Sequence, residues 1–308
     1  MSYPTLTRGP VDKSLPSLHI ITGPTAAGKT DASLIWAAKN NAEILSCDSV
    51  CVYRGMDIGS AKPTTQQQAQ CKHYGLDLVD PTERYSVVRY IDYAKQCITD
   101  AHARGKNILI TGGSGFYLAA FFGPVTDEIP VSDAVINEVR LLQQQGIEAM
   151  LNRLREVEGQ TLPGWLDTKN PIRIAKALER RLSSDRSLDD LRVDFLQKES
   201  PFAQYKITYE LIEREDAELK NRIIQRTDLM LKSGLIEESE KLLQLNLNPE
   251  LPSARAVGYR ATMDWIQSGR QVALDGLRER INLDTWALVR KQRKWFNRLG
   301  LYADSRSA

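Results

Sequence analysis

The sequence predicts an α/β protein with a P-loop NTPase-like parallel sheet core, a helical insertion domain and a helical C-terminal part. Three observations support this fold class. Short apolar runs alternate with helical segments over 18–123, residues 23–30 match G-x-x-x-x-G-K-[ST], and strand signals vanish between about 124 and 184. Alternating strands and helices produce parallel sheets because each crossover between parallel strands is usually a helix.

The predicted organisation has three parts. A loose N-terminal arm covers 1–17, the P-loop core covers 18–123 and 185–308, and the insertion covers 124–184. Predicted strands lie at 18–22, 43–47, 106–111 and 206–209. Predicted helices lie at 31–38, 86–104, 116–122, 133–145, 147–157, 171–183, 215–233, 236–244, 255–268 and 273–298. The helix at 86–104 has Ser86 as its N-cap and Gly105 as its stop signal.

Composition excludes some classes of protein. A hydrophobic fraction of 42% and a charged fraction of 26% are ordinary for a globular chain. A net charge of +2 is too small to indicate nucleic-acid binding, so any basic surface must come from local patterning. The sequence contains no run of 18 apolar residues, so it predicts no membrane span. We expect a monomer.

The four cysteines, Cys47, Cys51, Cys71 and Cys97, form no C-x-x-C pair, and the chain has only three histidines. This pattern argues against a structural zinc site. Cysteines without evident pairing, in a sequence with no signal peptide, favour a cytoplasmic location.

The phosphate-loop motif is the strongest chemical signal. Its eight residues are Gly23, Pro24, Thr25, Ala26, Ala27, Gly28, Lys29 and Thr30. The glycines let backbone N–H groups point at phosphate oxygens, the lysine adds a cation, and the Thr30 hydroxyl can ligate Mg²⁺. A chance glycine turn is the alternative, but the strand before the loop and the helix after it favour a phosphate site.

A second group of residues follows the second strand. Asp48 comes at its carboxyl end, where ligands of open α/β sheets bind, so it can ligate Mg²⁺ or accept a proton. A turn or cap aspartate is the alternative. The loop at 52–63, with Arg54 and Lys62, is typical of a substrate-contacting segment.

Two further features are open to two interpretations each. The Gly112–Gly115 turn can supply N–H groups and the Ser114 hydroxyl to the same cleft, or it can be a plain turn. Arg222 and Arg226 lie one helical turn apart. They either form surface ion pairs worth about 0.3–0.5 kcal/mol each or clamp a phosphate leaving group.

Basic helices suggest an RNA surface. Arg173, Lys176 and Arg180 share one helix face, which is either simply solvated or contacts phosphates. The C-terminal helix carries five basic residues between 285 and 298 and no acid: Arg290, Lys291, Arg293, Lys294 and Arg298. Its aromatic residues could stack on bases, but for Trp295 and Phe296 we prefer anchoring to the core.

These segments together resemble the bacterial tRNA dimethylallyltransferase family. The matching stretches are Gly23–Thr30, Asp48-Ser49, Tyr53-Arg-Gly-Met-Asp-Ile-Gly-Ser-Ala-Lys-Pro63, Gly112–Tyr117, Asn170–Glu179, Met230–Glu238 and Ala256-Val-Gly-Tyr259. The resemblance implies transfer of a dimethylallyl group from dimethylallyl diphosphate to the exocyclic N6 of the adenosine just 3′ of the anticodon in tRNA. It also implies that the phosphate loop holds the donor diphosphate with Mg²⁺, without ATP.

The resemblance further implies residue roles. Asp48 would be the base, Ser114 would stand at the reacting centre where the family usually has Thr, and the insertion would contact the anticodon stem-loop. Lys29, Thr30, Arg222 and Arg226 would stabilise the leaving pyrophosphate. The implied tRNA contacts are Ser49, Val50, Cys51, Arg54, Lys62, Ile172, Arg173, Lys176, Arg255, Gly258, Tyr259, Arg260, Arg290 and Arg293.

Two departures from the family pattern stand out. Cys51 occupies a position where the family often has a glutamine that reads the adenine, and a thiol cannot make a bidentate adenine contact. Tyr74 stands where a histidine is common. Three other functions remain: a P-loop kinase that uses ATP, a catalytically silent tRNA-binding relative, and prenyl transfer to free adenine nucleotides.

Overall fold

The structure is a computed structural model that describes residues 16–127 and 129–302. Apart from Pro16 and Ser17, the predicted arm at 1–17 lies outside the described residues. The strands are β1 (Ser17–Thr22), β2 (Ala42–Ser46), β3 (His73–Tyr74), β4 (Asn107–Gly112) and β5 (Lys206–Leu211). The helices are α1 (Lys29–Lys39), α2 (Thr65–Gln68), α3 (Val87–Ala103), α4 (Gly115–Phe122), α5 (Asp133–Gln145), α6 (Ile147–Glu158), α7 (Pro171–Leu182), α8 (Leu188–Gln197), α9 (Asp216–Lys232), α10 (Leu235–Gln244), α11 (Tyr259–Gln267) and α12 (Leu274–Arg298).

The five strands form one parallel sheet in the order β3-β2-β4-β1-β5. In its register Thr22 lies opposite Gly112, and Ser46 lies opposite Thr111. The carboxyl ends of β1, β2 and β4 therefore meet at one edge. This edge is where the crossover helices leave space for a ligand.

The core helices confirm the local signals. The Ser86 hydroxyl accepts a hydrogen bond from the backbone N–H of Arg89 and so caps α3. Gly105 follows that helix with φ +68°, a conformation that glycine adopts without strain. The helix predicted at 255–268 begins only at Tyr259, because 255–258 form turns that end in Gly258 with φ +89°.

In the same unit, α9 and α12 pack on each other beside the phosphate loop. Leu219, Ile223 and Val289 form their shared apolar cluster, and Ala26 of the loop packs against it. Burial of such apolar surface stabilises the fold by about 25 cal/mol per Å². The C-terminal half of the chain therefore supports the loop directly.

The insertion is a separate compact unit over 123–200. Its core includes Leu154 of α6, together with Ile174 and Leu178 of α7, all fully buried. Leu188 of α8 joins this core, so the unit extends beyond the boundary predicted at 184. The sequence prediction also omitted α2, α8 and the two-residue β3.

Candidate functional site

The phosphate loop joins β1 to α1 and has two backbone positions that require glycine. A Cβ on Gly23 would lie 2.3 Å from the carbonyl oxygen of Ile212, and Gly28 has φ +100°. Helix α1 begins at Lys29, so the N–H groups of its first turn have no partner within the helix. A helix N-terminus of this kind attracts anions.

A cavity of about 910 Å³ opens beside this loop, and its lining residues all belong to the core unit. It brings together many of the residues predicted from the sequence. They are Thr25, Ala26, Gly28, Lys29, Thr30, Asp48, Val50, Cys51, Lys62, Arg222, Arg226 and Gly258.

Three cations converge on this cavity. The Lys29 Nζ donates to the carbonyls of Gly23 and Pro24, at 3.0 and 2.9 Å. Arg222 Nε donates to the Ala26 carbonyl at 2.6 Å, and Arg226 Nη1 donates to Thr25 Oγ1 at 2.9 Å. These contacts argue against the alternative in which Arg222 and Arg226 form surface ion pairs.

Burial shifts the titration of two of these cations. Burial and the nearby Arg226 lower the pKa of Lys29 to about 8, although Asp48 acts in the opposite direction. Burial also lowers the pKa of Arg226, again opposed by Asp48. Buried cations that repel one another are stabilised when negative charge is placed beside them. A bound diphosphate would supply that charge.

Asp48 lies two residues beyond the end of β2. Its Oδ1 accepts hydrogen bonds from the backbone N–H groups of Val50 and Cys51, at 2.8 and 3.4 Å. Within the described ranges nothing donates to Oδ2. The turn therefore fixes the orientation of the carboxylate and leaves one oxygen for a ligand.

The structure places Cys51 with its side chain buried, at 5% exposure, on the wall of the cavity. Burial raises the pKa of this thiol, so it is neutral at physiological pH. A neutral thiol here offers a small, weakly polar surface. It is neither a nucleophile nor a two-point adenine contact.

Ser114 is not among the residues that line this cavity. Its backbone N–H donates to the Cys47 carbonyl at 3.2 Å, which ties the glycine turn to the end of β2. Thr111, at the end of β4, lines the cavity instead, and its Oγ1 accepts from Ser33 Oγ at 2.8 Å. Thr111 was missed because a single threonine in a buried strand carries no local signal.

The structure corrects the expectation for Lys62. The side chain of this residue is only 3% exposed, and its Nζ donates to Asp57 and Asp77, at 2.5 and 2.6 Å. A third bond goes to the Tyr53 carbonyl at 2.9 Å. Lys62 therefore holds the 52–63 loop together, and it is not a free cation for RNA.

Replacement of Lys62 by methionine should lower the free energy of unfolding by about 1.5–3 kcal/mol, because charge-assisted hydrogen bonds would be lost at a buried site. Chemical denaturation would measure the change. Lys95→Met, on the exposed face of α3, should stay within about 0.5 kcal/mol of the wild type. Equal stability of the two variants would contradict the internal role of Lys62.

Tyr259 is also placed differently from the prediction. The side chain of this residue is fully buried, its hydroxyl donates to Glu238, and its ring lies against Gly59. The Glu238 carboxylate in turn accepts from the backbone N–H groups at 57–59. Tyr259 and Glu238, which belong to α11 and α10, thus hold the 52–63 loop in position. The sequence analysis placed Glu238 in the matching stretch Met230–Glu238 but gave it no role, because its partners lie 21 or more positions away along the chain.

Most of the other basic residues predicted to contact RNA are paired with acids of their own unit, and most of these pairs are exposed. The pairs are Arg54–Asp80, Arg173–Asp167, Lys176–Glu179, Arg255–Glu250, Arg260–Asp264, Arg293–Glu213 and Arg293–Asp216. Exposed pairs of this kind contribute about 0–1 kcal/mol, so an RNA phosphate can replace the acidic partner. Ile172 and Arg290 are exposed, and Ser49 is partly exposed. Their contacts with tRNA remain predictions.

The aromatic residues of α12 anchor the helix, as preferred above. Phe296 is fully buried, and a Cβ on Gly115 would lie 2.1 Å from the Trp295 ring. Trp286 faces two cations of its own chain, Lys220 and Arg293, with ring-centroid distances of 5.0 and 5.9 Å. Each of these rings therefore makes contacts within the protein itself.

A five-stranded parallel sheet with a phosphate loop, three cations and one oriented carboxylate at its edge is typical of P-loop proteins, a class that binds phosphorylated ligands. The sequence profile described as IPP transferase matches residues 51–299. The chain belongs to the IPP transferase family.

Named relatives agree with this assignment. A tRNA dimethylallyltransferase of Opitutus terrae is 44% identical over 281 residues, covering 91% of this chain and 90% of that protein. A tRNA dimethylallyltransferase of Chloroflexus aurantiacus is 34% identical over 283 residues, covering 92% and 93%.

Solved structures are also similar. The tRNA isopentenylpyrophosphate transferase of Staphylococcus epidermidis has 28% identity and a TM-score of 0.63, with 92% of this chain and 90% of that chain covered. A eukaryotic dimethylallyltransferase acting on tRNA has a TM-score of 0.77, covering 91% of this chain and 70% of that one. At 21% identity, this second structure supports the fold alone.

Proposed function

We propose that this protein transfers a dimethylallyl group from dimethylallyl diphosphate to N6 of the adenosine just 3′ of the anticodon in tRNA. The observation that carries the proposal is that Asp48 and the three cations of the phosphate site line one cavity. This arrangement suits a reaction in which a proton leaves the acceptor while negative charge develops on a diphosphate leaving group.

The chemical step balances with these groups. The adenine N6 attacks C1 of the dimethylallyl group, and the C1–oxygen bond to the diphosphate breaks. The electron pair of the broken bond goes to the diphosphate oxygen, and Lys29, Arg222 and Arg226 stabilise the negative charge that develops there. Asp48 accepts the N6 proton through the carboxylate oxygen that the turn leaves unbound.

The residues present fit a Mg²⁺ ion. Thr30 lines the cavity at the first turn of α1, and a hydroxyl is a hard oxygen ligand of the kind that suits this ion. In the described part of the chain no three His, Cys, Asp or Glu side chains are grouped for a metal, so diphosphate oxygens would complete the coordination. When bound, Mg²⁺ would neutralise part of the charge on the diphosphate.

The kinase alternative is less well supported. P-loop NTPases use an aspartate besides the loop Ser/Thr to hold Mg²⁺, and kinases also need a base for the acceptor. Strand β4 lies next to β1, the strand that leads into the phosphate loop. It ends in Thr111-Gly112 and so has no aspartate at its end to hold Mg²⁺. Two of the carboxylates that line the cavity, Asp57 and Asp77, are bound to Lys62. Of the other two, Asp31 lies in the first turn of α1, and Asp48 alone follows the end of a strand, where we assign it to the acceptor.

The target base must leave its stack to enter the cavity, as in other base-modifying enzymes. With Cys51 on the wall, we propose that the shape of the cavity, and not a side-chain amide at position 51, recognises the adenine. We also propose a cytoplasmic location, where tRNA is available. No helix in the described ranges is long and apolar enough to cross a membrane.

The test is incubation of the purified protein with unmodified tRNA, labelled dimethylallyl diphosphate and Mg²⁺. Label should enter the RNA and map to the adenosine 3′ of the anticodon. Parallel reactions with γ-labelled ATP test the kinase alternative. Reactions with free adenine nucleotides test the alternative of prenyl transfer to these small molecules. Binding of tRNA without incorporated label would support the catalytically silent relative and overturn the proposal.

A further inference from the structure

Gln292 is a buried polar residue on the basic helix α12. Its side chain lines the cavity and the residue is only 7% exposed. It lies on the helix face of Thr285, Val289 and Phe296, which are all buried. A polar side chain on a buried helix face requires hydrogen-bond partners, because an unpaired buried amide is costly.

Both ends of the Gln292 amide are bonded. Its Oε1 accepts the backbone N–H of Thr25 at 2.9 Å, and its Nε2 donates to the Gly113 carbonyl at 3.1 Å. Gln292 therefore joins the phosphate loop after β1 to the glycine turn after β4. The fit is close, since a Cβ on Gly113 would lie 2.4 Å from Nε2.

The bond to Thr25 has a consequence for the loop. The Thr25 N–H points to Gln292, so it is not one of the backbone donors that face a phosphate. Arg226 holds the hydroxyl of the same residue, and Arg222 holds the next carbonyl, Ala26. Helices α9 and α12 thus fix the first half of the loop through three side chains.

We propose that Gln292 is a positioning residue for donor binding and transfer, an inference that rests on the proposed function. By holding Thr25 and Gly113 at once, it sets the conformation of the phosphate loop against the end of β4. This in turn places the donor diphosphate relative to Asp48. The neutral amide accepts from an N–H on one side and donates to a carbonyl on the other, which neither a carboxylate nor an apolar side chain can do.

Gln292→Leu removes both bonds at similar size, and Gln292→Glu keeps the acceptor but sets a carboxylate against the Gly113 carbonyl. Each should weaken binding of Mg²⁺-pyrophosphate at least about tenfold, or 1.4 kcal/mol converted with RT. Each should lower kcat/KM for dimethylallyl diphosphate by a similar factor while affinity for tRNA changes less than about twofold. Titration calorimetry and steady-state kinetics measure these quantities.

Ser239→Ala is the matched control, because it removes a buried hydroxyl that bonds the Leu235 carbonyl in α10, away from the cavity. It should leave pyrophosphate affinity unchanged even where it lowers the melting temperature. If Gln292→Leu lowers only the melting temperature, the residue is merely structural and the proposal fails.

If the Gln292 variants do not fold, Gly113→Ala decides, since its methyl group would lie 2.4 Å from Nε2 of the same amide and 3.0 Å from the Gly23 carbonyl oxygen, so that the amide has to move most. Wild-type pyrophosphate affinity in Gly113→Ala would overturn the positioning role. A wild-type protein that binds pyrophosphate but transfers no label would instead contradict the proposed function and leave the binding result for Gln292 intact.

Discussion

Replacement of Asp48 by asparagine is expected to lower the rate of prenyl transfer by about 10²–10⁴-fold, the range typical of loss of a general base. Asparagine keeps an Oδ1 that accepts from the Val50 and Cys51 N–H groups, so the turn should persist. Binding of tRNA and of donor should change little. Single-turnover kinetics with saturating donor would isolate the chemical step.

Asp31→Asn is the control for this variant. Asp31 also lines the cavity, but it lies in the first turn of α1, where its charge favours the helix N-terminus. We expect a rate close to that of the wild type. A full rate in Asp48→Asn would show that another group or water takes the proton.

The second large effect concerns Lys29. Lys29→Met should lower kcat/KM for the donor by about 10²–10³-fold, as for loss of one preorganised charge-stabilising donor. Because the pKa of the unliganded Lys29 is lowered to about 8, pyrophosphate affinity should hold below that pH and fall as the pH rises through it. In Lys29→Arg the guanidinium stays charged, so the affinity lost between pH 7 and 9.5 should be smaller than in the wild type. Comparing Lys29→Arg with the wild type at each pH removes the contribution of pyrophosphate ionisation, because it is the same for both proteins.

The same titration affects stability with the opposite sign. A lysine whose folded pKa lies below its unfolded value binds fewer protons when folded, so this group makes the protein more stable as pH rises from about 8 towards 10.5. Loss of affinity in that window therefore cannot come from unfolding driven by Lys29. A pH-independent affinity in the wild type would contradict the role assigned to its charge.

Much of the fold could be read from local patterns. The helix at 133–145 has the predicted bounds, and the phosphate loop sits between a strand and a helix as expected. The pattern failed where an element is too short to show a period, as in the two-residue β3. It also failed at α8, which was assigned to no element although Ser187 caps it.

Part of the candidate site could be read in the same way. The motif at 23–30 and Asp48 at a strand end follow from rules about backbone geometry that act within a few residues. Gln292 carried a weaker signal, a polar residue between Val289 and Phe296 on an apolar helix face. Lys62 gave a misleading one, because a lysine in a glycine-containing loop looks exposed until its carboxylate partners are in place.

The sequence by itself therefore determined the class of fold, the phosphate-loop motif, the position of Asp48 at a strand end and the family. The tertiary structure alone decided the strand order, which basic side chains face the cavity, and which residues hold the loops. The physical reason is range. Turn and helix preferences are set by neighbours along the chain. The bond between Thr25 and Gln292 joins residues 267 positions apart, and only packing of the whole core brings them together.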